Sequence, residues 1–372
     1  MTRRGRLLGQ IALVAGSVLI VLAGLEATLR RWPTLLGPEF ANGALSRYTA
    51  RTGGIYYHDR GLGIHFMIPN LRTTMYYNGY IWEHETDALG FRNRPLHVPA
   101  DVVLLGDSVV YGHGVNYEHT VSYLLERRSG LRVANLGHQA FCAFQEAYVL
   151  TEYLPLFRPR VVVHVFTPND IDDLYVTLGG AALREFIAQP IDRISYPPRT
   201  DPARLVAERE RQIRNRRWWR RANDGLYVAK MYRWLAHHVR EWRAAPPRAE
   251  AAPPRPRTGH DVPDVNADPA SLGWRYTAHA LAYMKYLTDR AGARLVMAPF
   301  TEGRQLEILR DIAARHRIEI IDTAPLFKGP TVLPNDGHFT PYGAQVMADL
   351  IAAHLERRPS APAAKAAYHR SR

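Results

Sequence analysis

Five short runs at regular places in the chain constrain its fold most: Val102–Leu105, Arg132–Leu136, Arg160–Phe166, Arg294–Ala298 and Glu319–Asp322. The first is built of β-branched and aliphatic residues and stops abruptly at Gly106-Asp107-Ser108, as a buried strand does when it delivers a serine to a turn. Segments with helical spacing lie between and after these runs, around Thr120–Arg128, Ala143–Leu154, Tyr276–Arg290, Gly303–His316 and Tyr342–Arg357. Strands alternating with helices imply a parallel sheet covered on both faces. With right-handed crossovers, five such strands give a three-layer α/β/α sandwich with a flavodoxin-like sheet, so the expected fold class is α/β.

The chain ahead of this region reads differently. Leu7–Leu25 is apolar apart from Gln10 and Ser17, with Arg3, Arg4 and Arg6 before it and Arg30 and Arg31 after it. About twenty apolar residues suffice for one bilayer-spanning helix. A cleaved signal peptide would end in a small-residue site, which Val21–Thr28 matches poorly, so an uncleaved anchor over residues 1–32 is expected. The arginine balance favours a cytoplasmic N-terminus, with the bulk of the chain outside an inner membrane. Residues 33–100 carry many tyrosines and turn residues but no long helical period. Short runs at Gly54–Tyr57, Ile64–Ile68, Thr73–Tyr77 and Tyr80–Trp82 predict a small β-rich apron.

Charge is unevenly spread. Of the net +13, sixteen Arg and Lys against six Asp and Glu fall between Arg199 and Arg257, inside an insertion at about 176–270 that separates the third and fourth strands. Two helices are expected there, Pro202–Arg221 and Gly225–Arg243. The second places Tyr227, Met231, Trp234, Leu235, His238 and Trp242 at helical spacing, and a Pro/Ala/Arg-rich loop, Ala244–Arg257, follows. Arginines beside Trp218-Trp219 suit anionic headgroups, and a cap packed by its tryptophan stripe explains the same pattern; nucleic acid is not expected as a partner. The region 101–358 forms the main domain, and residues 359–372 read as a disordered tail. The single cysteine, Cys142, excludes an internal disulfide and reads as a small buried residue.

Four blocks fall at one rim of the expected sheet: Ser108 after the first strand, Gly137 after the second, Asn169 after the third, and His338 before the last helix in Pro334-Asn335-Asp336-Gly337-His338-Phe339. A hydroxyl that attacks an ester needs a base, and a histidine oriented by a carboxylate supplies one. The oxyanion needs donors fixed in advance. Ser108 and Gly137 offer backbone N–H groups and Asn169 a side-chain amide. Singly, each block is ordinary turn or cap chemistry; the ordered set points to acyl chemistry.

That set resembles the SGNH, or GDSL-type, hydrolase family over Asp101–Leu355 apart from the insertion. The resemblance implies Ser108 as nucleophile, Ser108, Gly137 and Asn169 as the oxyanion hole, and His338 as general base. Asp87–Arg92 and the anchor also resemble membrane-tethered bacterial members. The family's aspartate lies three residues before the histidine, where this chain has Asn335; Asp336 is the expected orienting acid, with Asn335 or a backbone carbonyl as alternatives. His164 is expected in the core, and His113 and His138 as loop residues. No metal-ligand spacing or cofactor fingerprint occurs, so neither metal nor cofactor is expected. The expected activity is hydrolysis of an acyl ester or acylated saccharide. Transfer of the acyl group to an envelope polysaccharide, or a silent role in envelope assembly, are the alternatives.

Overall fold

A computed structural model of the chain describes residues 3–45, 54–171, 179–215, 225–244, 268–334 and 336–357. Asn335, the Trp218-Trp219 pair, the Pro-rich loop after Ala244 and the C-terminal tail lie outside the described residues. In chain order the elements are α1 (Arg3–Arg31), α2 (Pro38–Leu45), β1 (Tyr56–Asp59), β2 (Ile64–Met67), β3 (Arg72–Tyr77), β4 (Tyr80–Glu85), β5 (Val102–Gly106), α3 (Ser108–Tyr111), α4 (Val121–Ser129) and β6 (Val133–Asn135). They continue with α5 (Ala143–Phe157), β7 (Val161–Phe166), α6 (Gly179–Ala188), α7 (Pro202–Arg214), α8 (Tyr227–Ala244), α9 (Leu272–Arg290), β8 (Arg294–Pro299), α10 (Gly303–His316), β9 (Glu319–Ile320) and α11 (Pro341–Arg357). Two compact units result: a larger one of Ile55–Thr73, Trp82–Val206 and Arg257–Arg372, and a smaller one of Met1–Gly54, Thr74–Ile81 and Ala207–Pro256.

The larger unit is the expected sandwich. Its five strands run parallel in the order β6-β5-β7-β8-β9, and Leu104 of β5 aligns with Val163 of β7, which aligns in turn with Val296 of β8. The order places the first strand inside the second, as in flavodoxin-like sheets. Every residue of β5 and β7 is buried. The two-residue period of a strand then splits their side chains between two layers. Val103, Leu105, Val162 and Phe166 pack with α5, α9 and α10, while Val102, Leu104, Val161, Val163 and Val165 pack with α4 and α11. Full burial of each such side chain stabilises the fold by roughly 1.5–3 kcal/mol. The last strand is shorter than expected: Ile321 N–H still donates to Met297 O (2.9 Å), after which Asp322 accepts from Ala324 N–H (3.1 Å) and turns the chain away.

The smaller unit holds a helix absent from the sequence expectation, α2, together with α1, α8 and the tip of the β3–β4 hairpin. Residues 33–100 are thus shared between the two units. Helix α1 has one stretch, Arg6–Arg31, long and apolar enough to cross a membrane, with mean hydropathy 2.2 over its most apolar 18 residues, and its apolar side chains from Leu7 to Leu22 stand exposed.

Candidate active site

Strand β5 ends at Gly106, and Asp107 caps the short helix α3 by accepting from Val109 N–H (2.8 Å). Ser108 is the first residue of that helix. Its hydroxyl lies 2.7 Å from His338 Nε2 and 3.3 Å from Asp107 Oδ2. His338 Nδ1 pairs with Asp336 Oδ1, whose side chain is fully buried while the histidine keeps a fifth of its surface open. With a carboxylate at Nδ1 and a hydroxyl at Nε2, the network assigns one tautomer: Nδ1–H donates to Asp336 and Nε2 accepts from Ser108. The loop carrying Asp336 and His338 is closed at its neck by the Val332–Phe339 bridge and by Leu333 N–H donating to His338 O (2.7 Å).

Gly137 and Asn169 also reach this rim, both with their donors engaged. Gly137 N–H donates to Asn135 Oδ1 (2.8 Å) and Asn169 Nδ2 to Asp107 Oδ2 (3.1 Å). Gly137 has a second reason to be glycine, because a Cβ there would lie 2.3 Å from Tyr111 N and 2.6 Å from Val110 C, inside the helix that carries Ser108. Asn135 binds the same helix, its amide donating to Val110 O (2.8 Å). Asp107 also accepts from Thr167 Oγ1 (2.8 Å), so one buried carboxylate ties the serine turn to the end of β7.

Several residues that sequence reasoning left aside prove to build the site. His113, expected as a loop residue, lies flat on His338, with ring centroids 4.2 Å apart at 26°. Its own ring is held by Gln139 Nε2 at Nδ1 (3.2 Å) and by Trp82 at 4.6 Å between centroids, and Gln139 accepts in turn from the Tyr56 hydroxyl of β1. Burial, reinforced by the neighbouring His338, depresses the His113 pKa to about 3 and keeps the ring neutral. Burial likewise lowers His65 to about 4 and His84 to about 3. His138, the other expected loop residue, is fully buried and stacks on Phe141 at 3.9 Å.

The Asp87–Arg92 stretch is a clamp. Asp87 accepts from Leu89 N–H (2.7 Å), Phe91 N–H (3.0 Å) and Asn93 Nδ2 (2.8 Å), which folds the loop and presents Arg92 inward. Arg92 is 1% exposed and donates to four backbone carbonyls: Tyr111 (3.1 Å), Gly112 (2.6 Å), Glu83 (3.1 Å) and Val115 (3.2 Å). Those carbonyls include the end of α3, where Gly112 takes the left-handed conformation (φ 83°). Asn93 pairs with both backbone groups of Asn135 (2.7 and 3.1 Å) and so caps the open edge of β6.

Behind the serine, His164 behaves as a core residue: it is fully buried and meets Glu146 at 2.6 Å, with Asp170 close by. Burial raises the pKa of both carboxyls. His113, Asp336 and His338 each place one ligand atom within 4.8 Å of the others, yet both nitrogens of His338 are already hydrogen-bonded, so a cation would have to displace the serine or the aspartate. Cys142 is buried beside the same layer, as expected.

No family model matches the chain, and no curated protein does. Solved structures that align with it include TesA (12% identity, TM-score 0.37, 69% of this chain and 98% of TesA) and the lipase/acylhydrolase from Enterococcus faecalis (12%, 0.35, 70% and 98%). The psychrotrophic esterase EstA from Pseudoalteromonas sp. aligns at 9% identity and TM-score 0.36, over 69% of this chain and 96% of its own. At this identity and overlap the likeness carries no chemistry across to this chain.

Proposed function

We propose that this chain is a serine esterase that forms an acyl-enzyme on Ser108. The observation that carries the proposal is the continuous hydrogen-bonded set Ser108 Oγ, His338 Nε2, His338 Nδ1 and Asp336, drawn from one strand end and a loop 230 residues away. In this reading Ser108 Oγ attacks the ester carbonyl as its proton passes to His338. The tetrahedral intermediate collapses, His338 returns the proton to the departing alkoxide, and a water activated by the same histidine releases the acid. Asp336 orients the ring and stabilises its charged form. Asn169 has two amide hydrogens, one of which holds Asp107, and Ser108 has its backbone N–H. Gly137 has one hydrogen, and to serve the oxyanion it must leave Asn135. Residues 101–358 form the catalytic region, interrupted at about 176–270, and α1 anchors it to an inner membrane with the site outside the cytoplasm.

The test uses the full chain in detergent, with short acyl esters and a serine-directed fluorophosphonate, beside Ser108→Ala. Turnover and labelling that vanish in the variant are expected. A folded wild type that neither turns over nor labels sinks the enzyme reading in favour of a silent assembly role, and acyl transfer to an added polysaccharide in preference to water reassigns the acceptor. A reporter fused after Arg372 that is active only in the cytoplasm stays dark if the orientation holds.

A further inference from the structure

The smaller unit is built around the last turns of α1. Leu25 and Leu29 of α1 pack with Phe40 and Ala44 of α2 and with Tyr227, Met231 and Trp234 of α8. Two hydrogen bonds pin the start of α8 to the same place: Val228 N–H to Glu26 Oε2 (2.9 Å) and Arg30 to Gly225 O (2.9 Å). Two cations lie over the Tyr227 ring, Arg30 at 5.1 Å and Lys230 at 4.8 Å.

Helix α8 is apolar on two sides, and only one is used by this core. Tyr227, Met231, Trp234 and His238 follow the spacing that faces α1 and α2, whereas Tyr232, Leu235 and Val239, spaced i, i+3 and i+7, are 71%, 45% and 44% exposed. A helix in water needs one apolar face, so the second must meet something other than water. The same helix also carries Arg233, Arg240 and Arg243. Elsewhere in the unit Trp32, Leu35 and the hairpin residues Tyr77 and Ile81 are exposed as well, and outside α1 most of the exposed large apolar side chains among the described residues belong to this unit. The hairpin tip is fastened to α2 by paired amides, Asn42 to Asn78, at 2.9 and 2.7 Å.

We propose that this unit is a collar seated on an anionic bilayer surface, with the Tyr232–Leu235–Val239 face of α8 sunk into the boundary between headgroups and acyl chains. Attachment to the end of α1 puts α8 at that depth, aromatic residues and arginines are the types that settle there, and acidic headgroups neutralise the local cationic excess. A protein partner or a second copy of the chain would cover the same face without needing lipid.

The proposal rests on α1 crossing the membrane, which the experiment checks separately. Cys142 is fully buried, so a cysteine introduced on the surface takes a thiol-reactive, polarity-sensitive fluorophore alone. The full chain is reconstituted in lipid nanodiscs of phosphatidylcholine with and without phosphatidylglycerol, carrying the label at Leu235→Cys, Tyr232→Cys, Val14→Cys or, as an aqueous reference, Arg310→Cys. In discs containing phosphatidylglycerol, the labels at 232 and 235 are expected to shift to the blue, to resist iodide, and to be quenched several-fold more strongly than the reference by shallow spin-labelled lipid. Omitting the anionic lipid reduces that quenching. Labels at 232 and 235 as wet as the reference overturn the collar. Shielding from iodide without quenching by lipid also overturns it and shows a protein cover, and equal quenching in both discs overturns the demand for anionic lipid. A Val14 label in water removes the span, and the seat with it.

Discussion

His113 lies face to face with His338, 4.2 Å away, and so fixes the plane of the ring that Ser108 and Asp336 hold at its edges. Removing the stack with His113→Ala leaves His338 free to tilt. A displacement of that kind lowers kcat by roughly tenfold to a hundredfold, while KM changes little. His113→Phe keeps a flat face and recovers most of the loss, although it breaks the bond to Gln139. Steady-state kinetics on the three proteins decide it: equal losses in Phe and Ala would show that the Gln139 link, rather than the stack, holds the base.

Asp336 meets His338 Nδ1. Asp336→Asn removes the acceptor charge that selects the tautomer, with an expected fall in kcat on the order of 10³–10⁴. Asn335→Ala is expected to stay within a few-fold of wild type. The reverse pattern would return the orienting role to position 335.

Arg92 is a buried cation whose partners are four backbone carbonyls rather than a carboxylate. Arg92→Met strands those acceptors around the end of the Ser108 helix and costs about 2–4 kcal/mol of stability. Arg92→Lys restores little, because one ammonium cannot span the positions of a planar fork. Urea midpoints read the effect, and a Lys variant as stable as wild type would show that charge alone suffices.

Acid should weaken the larger unit through its buried histidines. His65, His84 and His113 sit buried and neutral with pKa values of about 4, 3 and 3. Unfolded, each titrates near 6.5, so below that pH the unfolded chain binds more protons. The stability these rings contribute is present above pH 6.5 and is lost as pH falls toward 4 and 3. At pH 5 each weakens folding by about 2 kcal/mol. Denaturation midpoints at pH 8, 6.5 and 5 should therefore fall, and His84→Gln should flatten the slope; a flat wild-type profile contradicts the assignment.

The sheet was legible because strands buried on both faces leave aliphatic runs, and all five expected strands lie within two residues of the observed bounds. Ser108 and His338 were legible for a related reason: strand ends are where such a fold gathers side chains, and the order of the blocks followed the order of the strands. His113 and Arg92 were not. Their roles arise from the packing of Gly112 and Trp82, which brings a loop five residues past the serine back over the base. Helix α2 was missed because Asn42-Gly43, a strong hairpin signal, sits inside eight residues held helical by tertiary contacts with α1 and α8. The partner of Asn135 escaped notice too, since a side chain that imitates a neighbouring strand has no sequence period.

The bond between Ser108 and His338 spans 230 residues. During synthesis the serine turn, Arg92 and Asp107 all exist long before the loop that supplies the base and its acid, and domains fold as the chain emerges from the N-terminal side. In the proposed chemistry a nascent chain, or one clipped anywhere ahead of the 333–339 loop, therefore carries an inert hydroxyl. Reactivity toward a fluorophosphonate would report more than a folded sheet: it would certify that the C-terminal helix has docked and the molecule is whole.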